Sequence, residues 1–407
     1  MKKVFKNIIY LSTVKGFDLI VPILVMPYVI RVLGLEQYGI FSLALLYFNF
    51  LLSFSDFGQT LISVKDLART DKKKEKIIII SQSISLKSTL SLLVISISLL
   101  VTYVSHPEYI WVVIAFSIGL IFEALSLSFF FQAEQEMKKI SLIQLFSRLI
   151  STIPVFLLVN DSNDLELYCF LHVSPYVISA SLIFILYKMR HIGEGYCFSI
   201  SSSRISSGWR IYSYQMVNGL ILPITSTFLA ANFDVKTVAI FAVIQRILSS
   251  AYRVFEPSVM AIYPYLASLH RVNYALFRVR TYQIQIAFLI ILSLCIFILN
   301  YFSSFIQGFI VGYVFKDEDD SLYKVMMFIL IPMVVNLFST RVMVIIGLES
   351  AISKILLVTT LIIFVCLFIV YYNSMAVFFV GVSLMVGYLL SMLLILLLLY
   401  DGTKNEK

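Results

Sequence analysis

The sequence has few charged residues for its length. Charged residues make up 13% of the 407 positions, whereas 60% of the positions are hydrophobic. A soluble chain of this length carries about twice that share of charge on its surface. Disorder is excluded as well, because 34 Phe and 24 Tyr residues require burial. The composition therefore predicts a polytopic membrane protein whose helical spans each need about 20 apolar residues.

Residue types that carry catalytic or cofactor chemistry are also scarce. The four cysteines are scattered along the chain, and no pair has the spacing of a metal or redox site. The four histidines are far apart, and the chain has no phosphate-binding GxxxxGK[ST], no dinucleotide-binding GxGxxG after a strand and no HExxH motif. We therefore expect no cofactor, no metal site, no nucleic-acid partner and no ATP hydrolysis by the chain itself.

Long apolar runs predict twelve membrane-spanning helices. The N-terminal run is interpreted as a retained first span rather than a signal peptide, because Lys15 and Asp18 interrupt it and no small-residue cleavage site follows. The predicted spans are about 8–30, 37–62, 77–103, 110–132, 141–159, 165–187, 211–231, 237–262, 281–303, 322–345, 354–372 and 376–400.

The basic residues of the predicted loops lie mostly on one side of the membrane. Only Arg31, Lys236, Lys316 and Lys324 fall on the other side. Since cytoplasmic loops collect Lys and Arg, this asymmetry predicts that both termini are cytoplasmic. The acidic run after Lys316 is interpreted as the solvated tip of an outer loop at about 304–321.

The chain divides into two predicted halves. Residues 188–210 are rich in Ser and Gly and are interpreted as a cytoplasmic linker between a six-helix lobe at 1–187 and another at 211–407. A weak internal repeat supports this division, because a shift of about 200 positions brings polar intramembrane residues of one half onto polar residues of the other.

Ionisable residues inside the predicted spans are the main functional signal. Each costs about 2.5–3.5 kcal/mol at a helix centre, so such residues usually face a bundle interior or a wet cavity. The set has six basic and four acidic members: Lys15, Asp18, Asp56, Lys87, Glu123, Arg148, Arg246, Arg253, Glu256 and Arg341.

Spacing places many of these residues on polar helix faces. Stripes at intervals of three or four residues occur in the first two spans of each half, with Gln215 and Asn218 in the seventh span repeating the spacing of Lys15 and Asp18. Four such stripes would line one water-filled, slightly basic vestibule suited to an anionic head group. Structural alternatives are ion pairing within a helix, as between Arg253 and Glu256, and snorkelling of basic side chains to the membrane surface.

Sequence landmarks resemble a known family over the whole chain. The most specific ones lie in the opening third, and weaker ones follow. They are Asn7–Leu11, Gly16, Pro22, Met26–Tyr28, Arg31–Gly34, Tyr38–Phe41, Asp56–Gly58, Lys65–Arg69, Phe129–Gln132, Met137–Lys138, Val238–Phe241 with Arg246, Tyr263–Pro264 and Gly347–Glu349. They resemble the polysaccharide-transporter family, the Wzx-type flippases of O-antigen and capsule repeat units. That family belongs to a superfamily that also holds the MATE drug exporters and the lipid II flippase.

The resemblance implies an all-α integral membrane fold of about twelve helices in two six-helix lobes, arranged in a MATE-like V. It implies transport of undecaprenyl-diphosphate-linked oligosaccharide to the periplasmic leaflet of the bacterial inner membrane by alternating access. The expected partners are this lipid-linked glycan, membrane lipid, a coupling proton or sodium ion, and the glycan polymerase machinery.

The residue pattern and the resemblance together give two groups of candidate site residues. The basic and amide residues are expected to bind substrate, and the carboxylates to bind the coupling ion. The substrate-binding candidates are Lys15, Arg31, Lys87, Arg148, Gln215, Asn218, Arg246 and Arg253. The ion-coupling candidates are Asp18, Asp56, Glu123 and Glu256.

Two other functions stay open from the sequence. A MATE-like exporter of cationic drugs predicts an acidic cavity, whereas the intramembrane residues here are more basic than acidic. A glycan polymerase or lipid-sugar glycosyltransferase usually needs a sizeable outer loop, and the longest predicted one has about 18 residues.

Overall fold

The computed structural model describes residues 21–22, 24–70, 72–190 and 197–405, and these are almost entirely helical. No strand occurs in this part of the chain. The helices up to residue 190 are α1 (Leu24–Leu33), α2 (Leu35–Asp56), α3 (Gln59–Leu67), α4 (Lys73–Ser105), α5 (Ile110–Leu125), α6 (Ser128–Ala133), α7 (Met137–Leu158) and α8 (Leu165–Arg190). Those after residue 200 are α9 (Ser202–Asn232), α10 (Val235–Val272), α11 (Tyr274–Tyr301), α12 (Ser303–Val311), α13 (Asp317–Phe328), α14 (Leu330–Ile345), α15 (Glu349–Tyr372) and α16 (Phe378–Asn405).

The helices follow the predicted spans closely. Within the described residues, ten helical stretches are long and apolar enough to cross a membrane, and two shorter apolar ones, Leu24–Leu33 and Ile221–Asn232, fall in the first and seventh predicted spans. Many large apolar side chains on these helices are exposed, as expected of surfaces that face lipid. The prediction of an all-α, multi-pass membrane protein is confirmed.

The second predicted span, 37–62, is interrupted. Helix α2 ends at Asp56, and Phe57 and Gly58 adopt left-handed backbone conformations with φ of 47° and 71° before α3 begins at Gln59. Hydropathy did not reveal this break because apolar runs lie on both sides of it and average over the short polar stretch at 55–60. We refer to Phe57–Gly58 as the α2–α3 break.

The outer loop predicted at 304–321 also contains helical structure. It holds α12 and the start of α13, and the acidic run Asp317–Asp320 forms the first turn of α13 rather than a loop tip. Carboxylates in a first turn are stabilised by the positive end of the helix dipole. Asp320 also pairs with Lys324 one turn later, with 2.6 Å between Oδ2 and Nζ.

The chain forms two compact units, Met1–Gly219 and Leu220–Lys407. The division falls inside α9 and not in the predicted linker at 188–210. Residues 197–201 run alongside α4, where the Cys197 amide donates to Ser81 Oγ (3.3 Å) and the Ser199 amide donates to Ser85 Oγ (3.1 Å). Helix α9 then starts at Ser202 and packs its first turns into the first unit. The segment that resembles a linker in sequence is thus bound to α4 through its backbone amides.

Each unit has its own core. In the first unit, α5 packs against α4 and α8, and aromatic rings fill the space between helices, as in the pair Phe41–Tyr168 with 4.6 Å between ring centroids. In the second unit, α14 packs against α10, α11 and α16. The assignment of six spans to each lobe, with boundaries at 187 and 211, stays a prediction.

Candidate functional site

Three ionisable residues predicted inside spans come together in the first unit. Lys87 on α4 is only 3% exposed, and its Nζ lies 3.3 Å from Asp56 Oδ1 at the end of α2. The charges of both residues act on the carboxyl group of Glu123, which is partly buried on α5. We call Asp56, Lys87 and Glu123 the charged trio.

The α2–α3 break positions Asp56, one of the two acidic residues of the trio. Asp56 is the last residue of α2, and the chain turns through Phe57 and Gly58 immediately after it. Thr60 in the first turn of α3 donates a hydrogen bond back to Asp56 Oδ1. A non-glycine residue with positive φ, such as Phe57, costs free energy and often marks a functional site. The break therefore holds the Asp56 carboxylate between α3 and Lys87.

A serine stripe on α4 accompanies Lys87. Ser83, Lys87 and Ser91 are spaced by four residues, so they share one helix face, and all three are buried. Ser83 Oγ lies 2.5 Å from Ser63 Oγ on α3, one turn away from the Lys87–Asp56 pair. The hydroxyls of Ser55 and Ser91 have no hydrogen-bond partner within the described residues. Sequence reasoning missed this stripe, because serine contributes little to hydropathy in either direction.

The trio has an excess of negative charge when all its members are ionised. The trio carries one ammonium group, which pairs with Asp56, and two carboxyl groups, and the Phe129 ring centroid lies 5.9 Å from Lys87 Nζ. Burial of an ionised carboxylate costs free energy unless a partner compensates its charge. This part of the first unit is thus locally acidic, although the tally over all spans leans basic.

The remaining candidates of the first unit lie elsewhere or outside the described residues. Arg31 is exposed near the end of α1, and Arg148 is partly buried on α7. Lys15 and Asp18 lie outside the described residues. Gln215 and Asn218 lie on α9, but their side chains are not among those described. That their polar helix faces line one water-filled vestibule therefore stays a prediction.

The second unit holds a separate polar cluster on α10, α14 and α16. Arg246 and Glu256 are partly buried on α10, and Arg253 is exposed. The charges of Arg253, Glu256 and Arg341 all act on the phenol of Tyr252, which also lies on α10. A second polar contact joins the two other helices of this cluster: Asn336 on α14 donates to Ser391 Oγ on α16 at 2.7 Å.

Arg204 is a buried polar residue that sequence reasoning placed in the cytoplasmic linker. It is 6% exposed and makes hydrogen bonds to side chains of α3 and α4, including an ion pair with Asp66. The signal that was available in the sequence is weak: an Arg in a Ser-rich segment that continues into a helix.

Comparison with solved structures identifies the fold. The chain superposes on an inward-facing multidrug resistance MATE transporter of the MOP superfamily with a TM-score of 0.71, at 11% identity over 98% of this chain and 100% of that one. It superposes on the lipid II flippase MurJ in an inward closed conformation with a TM-score of 0.72, at 14% identity over 98% of this chain and 89% of that one. The chain thus has the fold of this class of membrane transporters.

Sequence comparison then identifies the family. A profile of the family described as "Polysaccharide biosynthesis protein" matches residues 4–270, and the chain belongs to that family. The sequence is 25% identical over 284 residues to a protein of Escherichia coli K12 named "Putative O-antigen transporter". This match spans 65% of the present chain and 65% of the length of the Escherichia coli relative. The resemblance read from the landmarks is confirmed.

Proposed function

We propose that the protein is a flippase for lipid-linked oligosaccharides in the inner membrane of a bacterium. It would move undecaprenyl-diphosphate-linked repeat units from the cytoplasmic to the periplasmic leaflet by alternating access. Family membership, the name of the Escherichia coli relative and the fold shared with a lipid II flippase support this proposal. A glycan that crossed hydrocarbon unaided would leave many hydroxyls without partners, at several kcal/mol each. A protein with polar groups inside its helical units removes that cost.

The observation that carries the proposal is the charged trio of the first unit. Buried intramembrane charges are rare outside transport and relay sites, because their insertion is costly. Asp56, Lys87 and Glu123 lie on three different helices, so a small helix movement changes the distances among them. This is the arrangement expected of a site that exchanges a proton or sodium ion during a transport cycle.

In this proposal Lys87 acts as an internal counter-ion and not as a direct phosphate ligand. Its ammonium already faces Asp56 at 3.3 Å and is shielded from solvent. The diphosphate would be bound by the more accessible basic residues predicted for this role. These are Arg31, Arg148, Arg246 and Arg253; Lys15, which is predicted for the same role, lies outside the described residues. Gln215 and Asn218 would contact the sugar hydroxyls.

Glycan export in cells tests the proposed function. The gene is deleted from its source organism, or the protein is expressed in a strain that assembles the same lipid-linked unit but lacks its own transporter. We expect deletion to leave the unit on the inner leaflet, inaccessible to a lectin applied from outside, and expression to restore surface polysaccharide. Unchanged surface polysaccharide after deletion contradicts the proposal.

A second candidate function is export of cationic drugs. The excess of carboxylates over ammonium groups in the trio favours it, as does the fold likeness to a MATE transporter. This function predicts that expression raises resistance to lipophilic cations in a strain that lacks its own exporters. It also predicts that surface polysaccharide does not respond to the gene. The two measurements separate the candidates.

A further inference from the structure

Arg204 binds two helices of the first unit at once. Its Nε donates to Gln82 Oε1 at 3.1 Å, and one terminal nitrogen donates to Ser83 Oγ at 3.0 Å and to Ser63 Oγ at 3.2 Å. The other terminal nitrogen lies 3.2 Å from Asp66 Oδ2. A guanidinium presents five donors in a rigid fork, so it joins several acceptors that a lysine could not reach together. The first turn of α9 is thereby fixed to α3 and α4.

The following turns of α9 cover the α2–α3 break. Gly208 approaches so closely that a Cβ there would lie 2.6 Å from Phe57 Cδ1 and 2.8 Å from Gln59 Nε2. One turn further on, the ring of Tyr212 stacks on the ring of Phe57 with 5.2 Å between centroids. Only glycine allows this approach, so the cover of α9 over the break requires glycine at position 208.

The covered break is also the element that aims Asp56 at Lys87. Asp56 directly precedes Phe57, and its partner Thr60 directly follows Gln59. Ser83, which accepts a bond from Arg204, lies one helical turn before Lys87 on the same face of α4. Arg204 therefore donates to Ser83, one turn from Lys87, and to Gln59, which precedes the Thr60 that bonds Asp56. No contact between Arg204 and either member of the ion pair is needed for this.

We propose that Arg204 is a positioning residue that clamps the start of α9 over the α2–α3 break and so holds Asp56 against Lys87. The role in transport rests on the proposed function, whereas the clamp itself is a property of the first unit. Loss of the clamp should loosen the break, expose the buried side of Asp56 and weaken its pairing with Lys87. Arg204 would not contact the substrate.

Thiol accessibility tests the clamp without any transport assay. The four native cysteines are replaced by alanine, and one cysteine is introduced at Ser55, which is 3% exposed beside Asp56. Labelling by a water-soluble thiol reagent is compared between wild-type Arg204 and Arg204→Gln. We expect labelling at position 55 to become about tenfold faster in Arg204→Gln, because opening of the break becomes more frequent. Arg204→Lys, which keeps the charge opposite Asp66, should lie between the two.

A second reporter separates the clamp from general unfolding. Ser383 on α16 is 4% exposed in the other unit, and a cysteine there should label at an unchanged rate. Equal acceleration at 55 and 383 would mean that Arg204 supports only overall stability, and no acceleration at 55 would mean that it clamps nothing. Either result overturns the proposal.

A glycine variant tests the same contact without removing charge. Gly208→Ala places a methyl group against Phe57 and Gln59, so it should also accelerate labelling at position 55. Gly308→Ala is the matched control, because nothing lies within 4 Å of a Cβ there. If the labelling results hold but the cells export no glycan through the wild-type protein, the clamp stands and the proposed function fails.

Discussion

Lys87 and Asp56 form an ion pair inside the first unit, with 3.3 Å between Nζ and Oδ1 and with only 4% of the Lys87 side chain exposed. The two residues come from helices separated by the α2–α3 break and the basic segment before α4. Their contact joins a residue predicted to bind substrate with one predicted to bind the coupling ion. The two residues therefore form one buried ion pair and are not two independent binding groups.

Removing one partner of this pair should destabilise the protein more than removing both partners. Lys87→Met leaves Asp56 and Glu123 without their cation and should lower the free energy of unfolding by about 3 kcal/mol. The double variant Asp56→Asn with Lys87→Met should lose less than the sum of the single changes, as measured in a double-mutant cycle in detergent micelles. Lys324→Met, which removes a pair at an exposed site, is the control and should change stability by less than about 1 kcal/mol. Additive single effects would show that Lys87 and Asp56 do not interact.

Glu123 should be needed for transport more than for folding. Glu123→Gln keeps the size and polarity of the side chain but removes the group that can exchange a proton or bind a cation. We expect export of the lipid-linked glycan to fall about tenfold or more at equal protein level. Glu108→Gln, at an exposed glutamate beside His106, should export normally. Normal export by Glu123→Gln would remove Glu123 from the coupling site.

The basic residues of α10 should contribute affinity for an anionic head group. Arg246→Gln and Arg253→Gln are expected to reduce export about tenfold each, whereas Arg→Lys at the same positions should retain part of it because the positive charge stays. Surface polysaccharide at matched protein level is the measurement. Arg280→Gln on α11, where the arginine lies exposed and bonds Gln283, serves as control. Full export by both glutamine variants would place phosphate binding elsewhere.

Close packing of α15 against α16 should depend on Gly387. A Cβ at this position would collide with the side chain of Ile363, so Gly387→Ala should cost about 1–3 kcal/mol of stability, seen as a lower Tm in detergent. Adding Ile363→Ala should recover much of that loss, because it removes the colliding atoms. A Tm unaffected by Gly387→Ala would show that the helices are free to separate at this point.

Hydropathy predicted the spans because a membrane requires long apolar helices, and their length is written in the linear order of residues. The breaks within spans were not predictable in this way. Phe57 and Gly58 adopt left-handed conformations that depend on packing, and the polar stretch around them is too short to divide the apolar run. The same limit applies to α12, which lies where a loop was predicted.

The individual members of the charged trio were predicted, but their grouping was not. Asp56, Lys87 and Glu123 are conspicuous in sequence because each is costly in a membrane. Which of them meet depends on how α2, α4 and α5 pack, and no spacing rule extends across separate helices. Arg204 was missed for the opposite reason: in a Ser-rich segment near the membrane surface, a basic residue fits a solvated linker equally well.

The sequence by itself determined that this chain crosses a membrane many times as helices, and its landmarks determined its family. Both properties follow from local composition and order, since apolar length and short motifs are carried by neighbouring residues. Only the tertiary structure decided that Lys87 pairs with Asp56 and that Arg204 is buried against α3 and α4. Such contacts join residues far apart in the chain, and they form only where helix packing brings complementary groups within a few ångströms.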